Sequence, residues 1–384
     1  MTLMRRLTAG IAPLLLASSL VHAAPPAPPV LENKAFILVD FDSGRVLAES
    51  NAQQRLAPAS MTKMMTSYLV EQALNSGRVK EGDMVHVSEY AWCRGTSAES
   101  CMYLPLNSQA SVIDMLRGVI IQSGNDASKA LAEHLAGNEP AFAEMMNKEA
   151  ARLGMKNSHF VNSTGMPDPA HLTTAYDLAI LARSIIRDSA HYYPIYAEKE
   201  FTFNRIKQGN RNALLYTDSS VDGLKTGHTE DAGYCLTASS KRNGMRLITV
   251  VMGTQSMQAR ADQSRALFNW GFANFENAVP HTAGTVLGTP RVWFGKAENV
   301  KAGVASDVML TLAHGDKERL KSEVQMDTSV KAPLAKGQPV GKLTISLDGK
   351  VMLTQPVVAL EAVEEAGFFA RLMDHIKLFF SGLF

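Results

Sequence analysis

"LAPASMTKMM", residues 56–65, sets a serine and a lysine three positions apart at the start of an apolar, helix-like run. On a helix, residues three apart share a face, so Ser60 and Lys63 fall within reach of one another. A lysine is protonated at neutral pH and accepts no proton unless burial or a nearby cation lowers its pKa. Ser-x-x-Lys also occurs by chance in many chains. The pair therefore needs support from elsewhere in the sequence.

Two later stretches supply it. "IIQSGNDAS" sets Ser123-Gly124-Asn125 at the junction of two helical patterns, where a loop presents a hydroxyl and an amide to a cleft. "VDGLKTGHT" sets Lys225-Thr226-Gly227 at the start of an expected strand, followed by His228. Three such motifs in this order, within one expected domain, are a highly specific combination.

The rest of the chain frames those motifs. Its 384 residues are enough for two domains with a full core in at least one, and 46% hydrophobic content describes a globular protein. The first 23 residues place Arg5 and Arg6 before an apolar run that ends in small residues at Ala23, which is the pattern of a secretory signal peptide. Removing them takes two from the 38 basic residues and none from the 37 acidic ones, leaving a nearly neutral chain with no long basic block. No nucleic-acid partner is expected. In an exported chain Cys93 and Cys101 either close a small loop or remain isolated thiols, with Cys235 left over. The histidines are scattered without metal-ligand spacing, and neither metal nor cofactor is expected.

After a proline-rich tether (24–33), "AFILVDFDSGRVLAES" predicts a β-hairpin. Four helical patterns fill 111–190, and "GYCLTASS" and "MRLITVVMG" predict a second hairpin across Asn243-Gly244, before a helix over about 258–275. Strands, then helices, then strands predict one α+β unit, 34–280, whose antiparallel sheet draws on both ends of the segment. A small all-β domain follows over 281–360. In 364–384, Phe368, Phe369, Leu372, Met373, Ile376, Phe379, Phe380, Leu383 and Phe384 fall within an arc of about 160°, opposite Arg371, Asp374, His375, Lys377 and Ser381. Leu378 alone breaks the division. This is an amphipathic helix suited to a membrane interface.

The three motifs in this order, with the signal peptide, "EKEFTFN", the β-rich domain and the tail, resemble the D-alanyl-D-alanine carboxypeptidases of the low-molecular-mass penicillin-binding proteins, over essentially the whole mature chain. The resemblance implies a penicillin-binding/serine β-lactamase-like fold. It implies a periplasmic enzyme, held peripherally on the outer face of the inner membrane, that trims the terminal D-alanine from peptidoglycan pentapeptide stems and is acylated by β-lactams.

The resemblance also assigns roles. It makes Ser60 the acylated nucleophile, Lys63 its base, Ser123 a proton relay, Asn125 a holder of the substrate amide, and Lys225 the second cation that keeps Lys63 neutral. Gly227 leaves room for a peptide along the strand edge, and the backbone N–H groups of Ser60 and His228 form an oxyanion hole. Thr226, Arg211 and Arg260 receive the substrate carboxylate. Asp188 either resembles an aspartate that steadies the loop or the second lysine or simply caps its helix, and the loop "VNSTGMPDPAHLTT", 161–174, is expected to border the site, with Thr164 where some relatives carry histidine. A class A β-lactamase is disfavoured because residues 161–176 contain no glutamate to activate a deacylating water. A D,D-endopeptidase of the same family remains the alternative, with a catalytically silent scaffold behind it.

Overall fold

The computed structural model describes residues 25–94 and 99–381. The signal-peptide stretch lies outside them. Residues 25–33 form no helix or strand and lie along a later helix, α7, where the Pro26 carbonyl accepts from Trp270 Nε1 at 3.1 Å.

The sheet that organises the first domain has five antiparallel strands: β1 (Ala35–Asp40), β2 (Val46–Ser50), β3 (Val221–Thr229), β4 (Gly233–Arg242) and β5 (Met245–Thr254), in the order β2-β1-β5-β4-β3. Both expected hairpins form. The second turns at Asn243 (φ 48°) and Gly244 (φ 84°), a left-handed pair suited to a two-residue turn between twisted strands. Every residue of β1 is buried because the sheet is covered on both faces. Ile37, Val39, Ile248 and Val250 point into a core shared with the central helices, while Phe36, Leu38, Leu247 and Val251 point into the core under α7. The period of two along each strand thus serves two cores at once.

The helices are α1 (Lys63–Asn75), α2 (Val112–Arg117), α3 (Asn125–Ala136), α4 (Glu139–Leu153), α5 (Ala175–Asp188), the single turn α6 (Leu214–Thr217) and α7 (Met257–Asn274). Ser111, Asn138, Thr174 and Ser256 each cap a helix by accepting the backbone N–H three residues on.

Chain leaving α7 passes directly into β6 (Phe275–Ala278). The second sheet contains β7 (Val286–Gly288), β8 (Ala302–Gly303), β10 (Leu320–Met326), β11 (Pro339–Leu347) and β12 (Lys350–Ala359), while β9 (Leu310–Ala313) pairs with β6. The two halves are joined by polar contacts: Ser43 Oγ to Thr311 Oγ1 at 2.6 Å, and Asn277 Nδ2 donating to Asp40 and Asp42 at 3.0 and 3.1 Å.

The last helix, α8 (Phe368–Ser381), inverts the usual orientation. Its polar side meets the β domain: Asp374 accepts from the Phe294 backbone N–H at 2.8 Å and from Arg291 at 3.3 Å, and His375 packs on the Phe294 ring. Its apolar side faces outward, with Phe368 67% and Phe369 81% exposed.

Candidate active site

Ser60 sits in a 3₁₀ turn, Ala59–Thr62, that runs into α1. In such a turn residues i and i+3 eclipse, which brings Lys63 Nζ to 3.2 Å from Ser60 Oγ. The residue before the nucleophile, Ala59, has φ 48°, a costly conformation for a residue with a Cβ. Lys63 is fully buried, and its amine also donates to Asn125 Oδ1 at 2.6 Å and the Thr164 carbonyl at 2.7 Å.

Those partners suit a neutral amine. Two are carbonyl oxygens, which only accept and use its two N–H groups; the third is a hydroxyl, able to donate into the remaining lone pair. Burial, and next the Arg211 charge, lower the Lys63 pKa to about 7, against the opposing pull of Glu99 and Asp126. Desolvation and Arg211 thus come before any help from Lys225, whose repulsion with Lys63 shows in its own lowered pKa. Lys225 itself lies far below the ordinary lysine value, through burial first and then the charges of Lys63, Arg211 and Arg260.

The helix begun by α2 loosens into a π turn over Gly118–Gln122 and ends at Ser123, whose left-handed backbone (φ 60°, ψ 34°) aims the hydroxyl at the cleft. Lys225 Nζ donates to Ser123 Oγ at 3.0 Å and to the Thr226 carbonyl at 3.2 Å. Asn125 opens α3; its Nδ2 donates to Glu99 Oε2 at 2.8 Å, which leaves Oδ1 for Lys63. The next residue, Asp126, is buried and accepts the backbone N–H groups of Met102 and Leu104, stapling that loop behind the site.

Lys225, Thr226 and Gly227 occupy the second half of β3, not its start. β3 is an edge strand, paired only with β4. Gly227 also meets a demand that was not expected. A Cβ there would stand 2.8 Å from the Pro58 carbonyl oxygen and 3.2 Å from Met61, so the bare Cα lets the strand press against the turn that carries Ser60. His228 is exposed and stacks on Tyr234.

Arg260 is buried, donating to the carbonyls of Gly227 at 3.1 Å and Cys235 at 3.4 Å, and burial lowers its pKa to about 10. Arg211 reaches over the exposed side and donates to Ser100 Oγ at 2.6 Å. Among the described residues neither guanidinium has a carboxylate within 4.0 Å. Together with Ser60, Ser123, Thr226 and Gly227 they line a cleft of about 590 Å³. A second hollow of about 380 Å³ opens on the other side of the Ser60 turn, between Gly165–Leu172 and Asp231.

Glu99 and Asp126 escaped the sequence reading. Glu99 touches Asn125 and the Thr164 carbonyl touches Lys63, while Asp126 acts on the loop behind them. His171 donates through Nε2 to Thr62 Oγ1 at 2.8 Å and accepts the Val161 N–H through Nδ1, pinning the 161–172 loop beside Lys63. Gly165 (φ 83°) lets that loop approach, since a Cβ would collide with the Ala59 carbonyl. Asp188 is corrected: at the end of α5 it accepts from Tyr68 and Arg187, and steadies neither the loop nor Lys225. Cys93 and Cys101 are bonded, with Cα atoms 6.2 Å apart, and Cys235 is a buried free thiol. The grouping of Cys93, Glu99 and Cys101 therefore offers no pair of thiolates to a metal.

A serine beside a buried lysine whose pKa is lowered to about 7, in a cleft carrying a second lysine and two guanidinium groups without acidic partners among the described residues, defines a serine acyl-transfer enzyme of the penicillin-binding type. Comparison with known proteins narrows the class. Residues 22–256 match the family model for D-alanyl-D-alanine carboxypeptidase, peptidase S11, and residues 275–365 match that for the C-terminal domain of penicillin-binding protein 5. The chain belongs to the peptidase S11 family of D-alanyl-D-alanine carboxypeptidases. It is 45% identical to D-alanyl-D-alanine carboxypeptidase DacA of Haemophilus influenzae over 360 residues, covering 93% of this chain and 92% of that protein. The crystal structure of penicillin-binding protein 5 from Haemophilus influenzae superposes with a TM-score of 0.84 at 45% identity, over 88% of this chain and 100% of that one. Penicillin-binding protein D2 of Listeria monocytogenes, in its cefotaxime-bound form, matches with a TM-score of 0.59 at 26% identity, over 64% of this chain and 100% of that one.

Proposed function

We propose that the enzyme releases the terminal D-alanine of peptidoglycan pentapeptide stems through an acyl-enzyme on Ser60. Lys63 takes the proton of Ser60 as its oxygen attacks the carbonyl between the two D-alanines. The backbone N–H groups of Ser60 and His228 receive the developing oxyanion, a contribution of about 3 kcal/mol for each donor in comparable sites. Ser123, held by Lys225, relays that proton from Lys63 to the departing amine, which leaves Lys63 neutral again to take a proton from the water that frees the shortened stem. Asn125 holds the substrate amide beside β3.

Arg211, Arg260 and Thr226 receive the terminal carboxylate; the absence of acidic partners around the two guanidinium groups supports this assignment, because arginine pairs best with a planar anion. The stem then runs from Ser60 toward the hollow beside Gly165. A β-lactam presents its own carboxylate and acyl carbon to the same groups, and the cefotaxime-bound relative supports its acting as a covalent inhibitor. With no glutamate in 161–176, the penicilloyl-enzyme is long-lived.

One observation carries this reading: a fully buried lysine amine whose only uncommitted capacity faces a serine hydroxyl. Penicillin labelling followed by peptide mass mapping tests it, with the adduct expected on Ser60 and absent from Ser60→Ala. Labelling that survives the substitution defeats it. Pentapeptide and cross-linked dimer offered side by side separate carboxypeptidase from endopeptidase action, with free D-alanine expected to predominate.

The reading extends to placement. Residues 1–23 direct export and are removed, 34–280 carry the chemistry, 281–360 form a spacer, and 364–384 hold the enzyme on the outer face of the inner membrane, in the periplasm. Among the described residues no helix is long and apolar enough to cross a membrane. The exposed phenylalanines of α8 support peripheral insertion, which rests more on apolar burial than on charge.

A further inference from the structure

We propose that Glu99 is a positioning residue for the base: carried on a loop closed by the Cys93–Cys101 disulfide, it fixes which end of the Asn125 amide meets Lys63. The proposal rests on the reading of Lys63 as base to Ser60.

An amide has two unlike ends. A carboxylate accepts only, so with Glu99 Oε2 at 2.8 Å from Asn125 Nδ2 the oxygen must turn to Lys63, where it lies at 2.6 Å. Without Glu99 the other neighbour of Nδ2 is Met166 Sδ at 3.6 Å, a weak acceptor that does not choose between the two orientations. A reversed amide points its N–H groups at Lys63. It then donates into the lone pair that has to receive the Ser60 proton, and the base is blocked by its own neighbour.

The loop that delivers Glu99 is fastened at both ends. On the far side, the Ser100 carbonyl accepts the Asn125 N–H at 2.7 Å, the Cys101 carbonyl accepts Gln208 Nε2 at 3.0 Å, and Asp126 accepts Met102 N–H at 2.8 Å. On the near side the disulfide ties Cys93, eight positions earlier, to the same point, and both cysteines are buried. Closing so short a loop removes chain freedom that otherwise lets Glu99 leave the cleft.

Glu99 also acts through charge. Lys63 is faced by Glu99, by Asp126 and Lys129 on α3, by Arg211 ahead of α6, by Lys225 on β3 and by His171 in the 161–172 loop. Glu99 favours its ammonium form, and Lys129, whose Nζ lies 3.5 Å from Glu99, opposes it. Orientation and charge can be separated, because glutamine keeps an accepting oxygen and loses the charge.

The test measures acylation by a fluorescent penicillin against pH in the full chain. Glu99→Ala and the double variant Cys93→Ser/Cys101→Ser are each expected to lose about tenfold at the plateau, the scale of losing one hydrogen bond to a charged group. Glu99→Gln is expected to stay within about threefold of the parent at the plateau, on the scale of one neutral hydrogen bond. Its acid limb moves to lower pH, while Lys129→Met moves that limb to higher pH. A limb that stays in place in Glu99→Gln, or a parent-like rate in Glu99→Ala, overturns the proposal; if Glu99→Ala does not fold, the Glu99→Gln profile decides. A parent-like rate in the double cysteine variant overturns the role of the disulfide. Ser60→Ala is run beside them: its inactivity with an unmoved Glu99→Gln limb removes the Glu99 role alone, whereas its activity removes the reading beneath.

Discussion

The cleft and the C-terminal helix depart from the same rule in opposite directions. In the cleft two lysines lie where apolar groups are ordinarily found; on α8 phenylalanines lie where charges are ordinarily found. Each inversion has a local cost and is held in place by neighbours. Lys63 is kept inside by two carbonyl oxygens and Ser60, and α8 is kept on the β domain by Asp374 and His375 on its polar side. The cleft uses desolvation to change a pKa, whereas the helix leaves apolar area exposed, the feature on which the proposed membrane contact rests.

The most severe way to break the cleft half of this contrast is Lys63→Arg. A guanidinium cannot give up its proton, so charge is retained while the base is lost, and D-alanine release is expected to fall by about 10³-fold or more. The parent rate should rise with pH through about 7, because burial disfavours the ammonium and the amine is the active form. A flat profile between pH 6 and 8, roughly a unit either side of that value, contradicts the mechanism.

Glu71→Gln probes the same desolvation without touching the chemistry. Glu71 is fully buried in α1, accepts from Tyr196 at 2.8 Å and leaves Oε2 without a hydrogen-bond partner. Burial raises its pKa from 4.5 to about 7, so the folded state holds the proton more tightly than the unfolded one. Its effect on stability is neutral below the lower value, worsens as pH rises between the two, and stays unfavourable above, by at most about 3 kcal/mol. Chemical denaturation should show the parent weakening over that window and the glutamine variant not; identical slopes refute the burial argument.

Arg211→Ala sharpens the role of the cleft. At a pH on the alkaline plateau, where Lys63 is deprotonated with or without the Arg211 charge, about tenfold should be lost in kcat/KM for a peptide ending in a free carboxylate, the scale of one charge-assisted hydrogen bond, and little for the same peptide amidated at its end. Equal losses on both peptides remove Arg211 from carboxylate recognition. The smallest catalytic effect should come from truncation after Ala366. That cut spares the bridges Leu334–Val363 and Gly295–Glu365, so the β domain keeps its edge. Cleavage of a soluble peptide should stay within about twofold, since surface changes remote from a site seldom matter more, while binding to lipid vesicles is lost. Persistent vesicle binding breaks the other half of the comparison.

What the sequence made legible follows the same division. α8 was readable over Phe368–Ser381 because amphipathicity is a relation among near neighbours along one helix; Leu383 and Phe384 of the expected arc lie outside the described residues. The two hairpins were readable for a similar reason, since Asp-Ser-Gly and Asn-Gly lie within the turns they make. In the cleft, spacing put Ser60 within reach of Lys63, but only the downstream motifs and the resemblance made them, with Ser123, Asn125 and Lys225, a site. Glu99 and Asp126 could not be read, and of the 161–174 loop only its place beside the site could be, not the contacts of Thr164 and His171. Their contacts join residues 26, 22, 101 and 109 positions apart, and no periodicity carries that information. Gly227 shows the subtler failure: its need was foreseen, but the neighbour that imposes it, the Pro58 carbonyl, becomes visible only once β3 lies against the Ser60 turn.

The Thr164 carbonyl on Lys63 has a consequence for the enzyme's life before it reaches its place of work. One of the amine's ligands comes from 101 residues further along the chain, and the enclosure that deprotonates it comes from the whole domain. A nascent or half-translocated polypeptide therefore carries an ordinary ammonium at position 63 and an inert alcohol at position 60. Latency is intrinsic to the unfinished chain, and the acylating power arrives only with the last long-range contacts, with no inhibitory pro-segment required.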